Sequence, residues 1–355
     1  MRIETEVKLD YSDVLIRPKR STLVSRKDVI LERNFTFLHS KKTWSGIPIM
    51  AANMAASGTF EMAEVFSKYK MITTLHKFYS IEDLTDFLPK FNQPQFIAYT
   101  LGIRDEDFKK LEDILKLGLD KYFDFICLDV PNGYLERFVD SVKKLRSLCP
   151  EHILIAGNVV TNEMVEELLI NGADIVKVGI GSGAACLTRR KAGVGYPQLS
   201  ATIECADAAH GISHGTGCGL IISDGGIVHP SCVAKSFCGG ADFVMSGSMF
   251  AGFDQSGGDL IKTPDGGCFK LHFGSSSNTA LEKFYGGVAK HRASEGRTSK
   301  LPCKGDINPF ILDLLGSLRS TGTYIGARRL KEFSKRTTFL MVNTQLNNSL
   351  ERFDV

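Results

Sequence analysis

Eight short apolar runs, each followed by a polar or amphipathic stretch, predict an α/β protein whose parallel strands close into a (β/α)8 TIM barrel. Three observations carry this. The runs, at 47–50, 71–75, 96–99, 125–128, 153–156, 175–178, 220–223 and 243–245, have strand length and β-branched or aromatic content. Helical periodicity fills the gaps at 60–69, 105–117, 135–148, 162–171 and 198–210. Small-residue loops follow the last runs, Ser223-Asp-Gly-Gly226 and Ser246-Gly-Ser248, where barrels commonly hold phosphate. An open doubly wound sheet is the alternative; it needs a reversal of strand order, and eight successive units of similar spacing favour closure.

Outside the repeating units, residues 1–45 are polar and irregular and read as an N-terminal extension wrapping the body. Residues 253–305 carry Gly and Ser clusters and read as a hairpin and mobile flap over the barrel mouth, while 307–318 and 325–334 return to helical periodicity. The 355 residues are thus expected to form a single catalytic barrel domain with no inserted regulatory domain.

A net charge of +3 and a pI near 8.3 point to no nucleic-acid partner, and basic clusters such as Arg17-Pro-Lys-Arg20 read as solvated faces. Nine cysteines, an odd number with neither a CxxC pair nor a zinc spacing, argue for a reducing compartment and read mostly as core or surface thiols. The charged start does not resemble a signal peptide and no apolar run is long enough to span a bilayer, so a cytoplasmic protein without a membrane partner is expected.

The chemistry concentrates in Lys177-Val-Gly-Ile-Gly-Ser-Gly-Ala-Ala-Cys-Leu-Thr-Arg189. A strand runs into a glycine loop that delivers Cys186, Thr188 and Arg189 at a strand end, where backbone amides and a cation favour the thiolate. A buried structural cysteine is the plain alternative. Thr188 can pass a proton only with a carboxylate behind it, and Glu295, in the flap, is the candidate; each alone also reads as a loop hydroxyl and a solvated charge. Asp224 forms an Asx turn or grips a ribose diol, Asp129 carries the same ambiguity, and Lys77 reads as a salt-bridge partner on the barrel rim.

The order of motifs then narrows the reading. Lys8-Leu-Asp-Tyr-Ser-Asp-Val-Leu-Ile-Arg-Pro-Lys-Arg20, Gly157-Asn-Val-Val160, the Cys186 loop, Gly193-Val-Gly-Tyr-Pro-Gln198, Ser223-Asp-Gly-Gly226, Arg292-Ala-Ser-Glu-Gly296 and Leu318-Arg-Ser-Thr-Gly-Thr-Tyr324 together resemble the GMP reductase branch of the IMP dehydrogenase/GMP reductase family over nearly the whole chain. The resemblance implies NADPH-dependent reductive deamination of GMP to IMP through a Cys186 thioimidate, with Thr188 and Glu295 moving protons. It implies substrate contacts at Asp224, Gly225, Gly226, Gly247, Ser248, Gly274, Ser275, Ser276, Arg292, Ala293, Ser294 and Gly296. Cofactor contacts follow at Lys77, Asp129, Val130, Pro131, Ile180, Gly181, Ser275, His291, Arg292, Ser320, Thr321, Gly322 and Thr323, with Ser25 and Arg26 reaching in from a neighbouring subunit. It also implies a potassium site at Gly181, Gly183, Cys186 and Arg189, and a homotetramer.

The chain departs from that pattern at several points. Ser182, Ala184 and Leu187 alter the cysteine loop, and Ala184 lacks a hydroxyl that in relatives helps to bind the nucleotide phosphate. Asn53-Met-Ala-Ala56 lacks a carboxylate and a hydroxyl near the mouth; Phe78, Pro131, Ser248, Phe273, Ser275 and Gly322 also differ, and 211–219 lengthens the approach to the seventh strand. Two alternatives follow: an enzyme acting on another purine nucleotide or as IMP dehydrogenase, and a catalytically silent nucleotide binder.

Overall fold

The computed structural model describes residues 1, 3–287 and 293–343. Its centre is a closed barrel of eight parallel strands: β1 (Ile49–Ala51), β2 (Ile72–Thr74), β3 (Ile97–Leu101), β4 (Phe125–Asp129), β5 (Ile153–Val159), β6 (Ile175–Val178), β7 (Leu220–Asp224) and β8 (Phe243–Ser246). Each strand pairs with its neighbours in chain order, and β8 closes on β1 with Val244 opposite Ile49. No strand order reverses, so the open-sheet alternative falls and all eight predicted runs are strands.

The continuous apolar runs follow from burial on both faces, as parallel strands require. In β4, Phe125 and Cys127 enter the barrel interior while Ile126 and Leu128 face the helical layer; Ile153 and Ile155 repeat the inward pattern in β5, with Leu154 and Ala156 outward. The outer helices are α1 (Phe60–Lys68), α2 (Ile81–Phe91), α3 (Asp105–Lys116), α4 (Glu136–Leu148), α5 (Asn162–Ile170), α6 (Gln198–Gly211) and α7 (Pro230–Cys238).

The N-terminal segment is more ordered than the irregular wrap expected from its polarity. Arg33–Thr36 and Thr43–Gly46 form a hairpin that plugs the lower end of the barrel: Phe35 stacks 4.8 Å from Phe243, and Phe37 meets Phe125 edge-on at 5.9 Å. The alternation of aromatic and polar residues is that of a strand with one buried face. Farther upstream, buried Tyr11 ties the extension to the barrel wall, its hydroxyl 2.7 Å from Ser223 Oγ and 2.7 Å from Ser236 Oγ.

After β8 the chain builds an antiparallel sheet of β9 (Leu260–Lys262), β10 (Cys268–Phe273) and β11 (Thr298–Pro302), with α8 (Asn278–Tyr285) between the last two. Then α9 (Asn308–Ile325) packs on the barrel's side. Most of the cysteines are thiols as expected, seven being free, but Cys268 and Cys303 are joined in a disulfide across this sheet. A separation of 35 residues hid the pairing, which exists only because β10 and β11 run antiparallel. Among the described residues no helix is long and apolar enough to cross a membrane.

Candidate active site

The C-terminal ends of the strands open into a cavity of about 650 Å³, within the range of small-molecule sites. At the end of β6 the backbone dips beneath Asp224; a Cβ on Gly179 would lie 1.7 Å from the Asp224 carbonyl oxygen, so only glycine passes. Gly181, at φ +79°, then turns the loop back across the mouth. Gln198, at the start of α6, anchors the loop: its amide donates to the Val178 carbonyl at 2.8 Å and its oxygen accepts from Ser182 Oγ at 2.6 Å.

This loop presents Cys186 to Thr188 and Glu295 in a directed chain. The thiol donates to Thr188 Oγ1 at 3.2 Å, and the threonine hydroxyl donates to Glu295 Oε2 at 2.7 Å. Cys186 and Glu295 lie 109 positions apart, and two backbone hydrogen bonds join their segments: Leu187 N–H donates to the Glu295 carbonyl at 2.6 Å and Arg297 N–H to the Ala185 carbonyl at 2.9 Å, which together make an antiparallel bridge between Cys186 and Gly296. On its other side the turn is held by Glu295 N–H, which donates to the Ser276 carbonyl at 3.1 Å. The arrangement can carry a proton from sulfur to carboxylate and back without bulk water.

Beneath the relay lies a charge cluster. Lys177, with 4% of its side chain exposed, contacts Asp129 and lies 3.2 Å from Asp224 Oδ2, which also accepts from Asn158 Nδ2 at 2.9 Å. Burial would push the ammonium toward neutrality, but the two carboxylates outweigh it and hold the lysine pKa above its ordinary value. Asp129 and Asp224 are thereby held on one ammonium, and both line the cavity. The signal for Lys177 was present in the chain, a cation inside the apolar run Ile175-Val-Lys-Val178.

With this geometry in view, comparison with known families is decisive. Residues 8–349 match the model of the IMP dehydrogenase / GMP reductase domain. The chain belongs to the IMP dehydrogenase/GMP reductase family. It is an oxidoreductase, as both activities in the family's description are. Relatives include a GMP reductase of Caenorhabditis elegans, 53% identical over 100% of this chain and 97% of its own length. GMP reductase 2 of Homo sapiens is 54% identical over 97% of each chain, and a GMP reductase of Phytophthora infestans is 54% identical over 99% of this chain and 95% of its own.

Most residues expected from the family resemblance share the cavity. Cys186, Thr188 and Glu295 line it with Asp224, Gly225, Gly226, Gly247 and Ser248. Gly274, Ser275, Ser276 and Gly296 form its flap side, and Asp129, Val130, Pro131, Ile180, Gly181 and Gly183 its opposite wall. Ala293 and Ser294 are not among the lining residues; Ser294 Oγ instead donates at 3.3 Å to the Ser276 and Gly296 carbonyls and braces the turn behind Glu295. His291 and Arg292 lie outside the described residues.

The remaining expected residues sit elsewhere in the fold. Lys77 pairs with Asp107 at 3.5 Å outside the cavity lining. Arg189 directs its guanidinium away from the thiol, to Asp10 at 2.8 Å and the Tyr196 carbonyl at 2.7 Å. Ser25 caps the short turn Arg26–Asp28, which packs against α9 where Val29 meets Gly322. Ser25 and Arg26 therefore share one face with Ser320, Thr321, Gly322 and Thr323, away from this chain's cavity lining. Residue types also hid two other lining side chains, Tyr134 and His272, which no motif singled out.

Proposed function

We propose that this chain converts GMP to IMP and ammonia with NADPH, through a covalent bond between Cys186 and purine C2. The observation that carries the reading is the continuous donor chain from Cys186 through Thr188 to Glu295. The thiol gives its proton along this chain and the sulfur adds to C2. The same route returns a proton to the amino group, which leaves as ammonia and not as an amide anion, and a thioimidate remains. NADPH supplies a hydride to C2 and becomes NADP+; the C–S bond then breaks, releasing IMP and regenerating the thiolate. Dividing the exchange of C–N for C–H into two steps lets one nucleophile serve both.

The cavity supports this assignment. Asp224, held by Lys177 and Asn158, faces the nucleotide as a ribose acceptor. Asp129 to Pro131 with Ile180 and Gly181 line the same cavity as Cys186 and would take the nicotinamide. Within the segment expected to form a mobile flap, Gly274 to Ser276, Glu295 and Gly296 line the cavity, and 288–292 lie outside the described residues. Ser25 and Arg26, sharing a face with Ser320 to Thr323, reach the cofactor of a neighbouring copy in a homotetramer. The carbonyls of Gly181, Gly183 and Cys186 are hard donors suited to potassium, with Arg189 contributing only its carbonyl because its guanidinium is engaged. Gly183 O already accepts the Cys186 amide at 2.9 Å and retains a second lone pair. We assign the activity to purine salvage in the cytoplasm.

The test is the near-ultraviolet absorbance of the reduced nicotinamide after mixing protein, GMP, NADPH and potassium, alongside Cys186→Ala. GMP-dependent oxidation with equimolar ammonia, abolished in the variant, is expected. GMP binding without oxidation overturns the assignment in favour of the silent binder, and turnover with another purine alone moves it to that substrate.

A further inference from the structure

His272 is a buried histidine neither of whose ring nitrogens has a hydrogen-bond partner among the described residues. It lies within β10 opposite Ser299 and is 4% exposed. A buried imidazole N–H left unpaired loses the hydration it had in the unfolded chain, so the position is unfavourable unless a ligand completes it. The ring is among the residues lining the cavity, with Ser246, Gly247 and Ser248 from the end of β8.

The location identifies the ligand group. In a barrel, the loops after the seventh and eighth strands are the usual phosphate site. Among the described residues, the backbone amides of Gly226, Gly247 and Ser248 and the Ser248 hydroxyl have no hydrogen-bond partner, and all three residues line the cavity. The flap strand carrying His272 is fastened on this side: Lys270, two residues earlier, donates to the carbonyls of Phe253, Asp254 and Ser256, just beyond β8. The cysteine loop meanwhile offers Ala184 in place of a hydroxyl.

We propose that His272 donates an imidazole N–H to the substrate's phosphate and, with Ser248, replaces the contact that Ala184 cannot make. His272 is thus a specificity residue selecting a nucleotide 5′-monophosphate over the nucleoside. The inference rests on the nucleotide reading of the cavity but needs no turnover for its test.

Equilibrium binding of GMP and of guanosine is measured calorimetrically for the wild type, His272→Phe and His272→Gln, with steady-state kinetics beside it. Phenylalanine keeps the ring's volume without a donor, and glutamine restores a donor. The Phe variant is expected to bind GMP about ten- to a hundredfold more weakly, the usual loss for a hydrogen bond to a charged group, with guanosine binding unchanged. The loss should fall on KM, with kcat within about twofold, and glutamine should recover part of it. Equal weakening of GMP and guanosine, or unchanged GMP binding, overturns the role of His272 alone. A wild type that binds GMP no tighter than guanosine overturns the phosphate site, and one that binds neither overturns the nucleotide reading as well. NADPH oxidation failing while GMP still binds overturns only the reductase reading.

Discussion

At the residue scale, the proposed relay is expected to behave as a unit whose parts have no separate value. Glu295→Gln removes the anionic acceptor while keeping the shape, and Thr188→Ala removes the conduit; each is expected to lower kcat by roughly 10²- to 10⁴-fold. The double variant should be no slower than the worse single, because one broken link already interrupts the path. Cys186 should still be alkylated by iodoacetamide in all three, which separates lost proton transfer from a lost nucleophile. Losses that multiply in the double variant would show two independent roles. Cys186 and Thr188 were legible because a glycine loop after a strand is itself a chemical signal. Glu295 was identified by its motif, and only folding brings it to 2.7 Å from Thr188. Lys177 and His272 escaped motif reasoning, since what distinguishes them is burial and the presence or absence of a partner.

At the scale of elements, the decisive construction is the join between the cysteine loop and the flap turn. Gly296 occupies a position where a Cβ would sit 2.7 Å from Ser277 N and 3.1 Å from Ser276 C, backbone atoms that cannot yield as a side chain can. Gly296→Ala should displace Glu295 without disturbing the barrel. A displacement of about 1 Å at a reacting centre costs up to roughly a hundredfold, so kcat should fall at least tenfold with little change in thermal midpoint. An unfolding transition shifted as strongly as the activity would instead show a structural role. The eight strands were readable because double-sided burial writes a continuous apolar run. The lower hairpin was not, since half its residues face water; nor was the disulfide, whose cysteines meet only through strand pairing.

For the whole molecule, acid stability reports on burial at the edge of the site. His76, following β2, stacks on Tyr79 at 4.0 Å, and burial pushes its pKa down from 6.5 to about 4. Between these values the unfolded chain binds a proton that the folded chain refuses. Its contribution is therefore complete above about pH 6.5 and is lost as pH falls toward 4, amounting to about 3 kcal/mol. Urea midpoints measured across that window should fall with pH in the wild type and fall less steeply in His76→Phe; parallel slopes would exclude His76 as the source.

The aromatic hairpin gives the barrel one sealed end, and on the proposed reaction this has a kinetic meaning. Nucleotide and nicotinamide would then enter past the strands' C-terminal ends, beside the strip where Ala185 and Leu187 bond to Arg297 and Glu295. The hydrogen bonds that hold Glu295 within reach of Thr188 are thus also part of the rim, so loosening the rim would loosen the proton path with it.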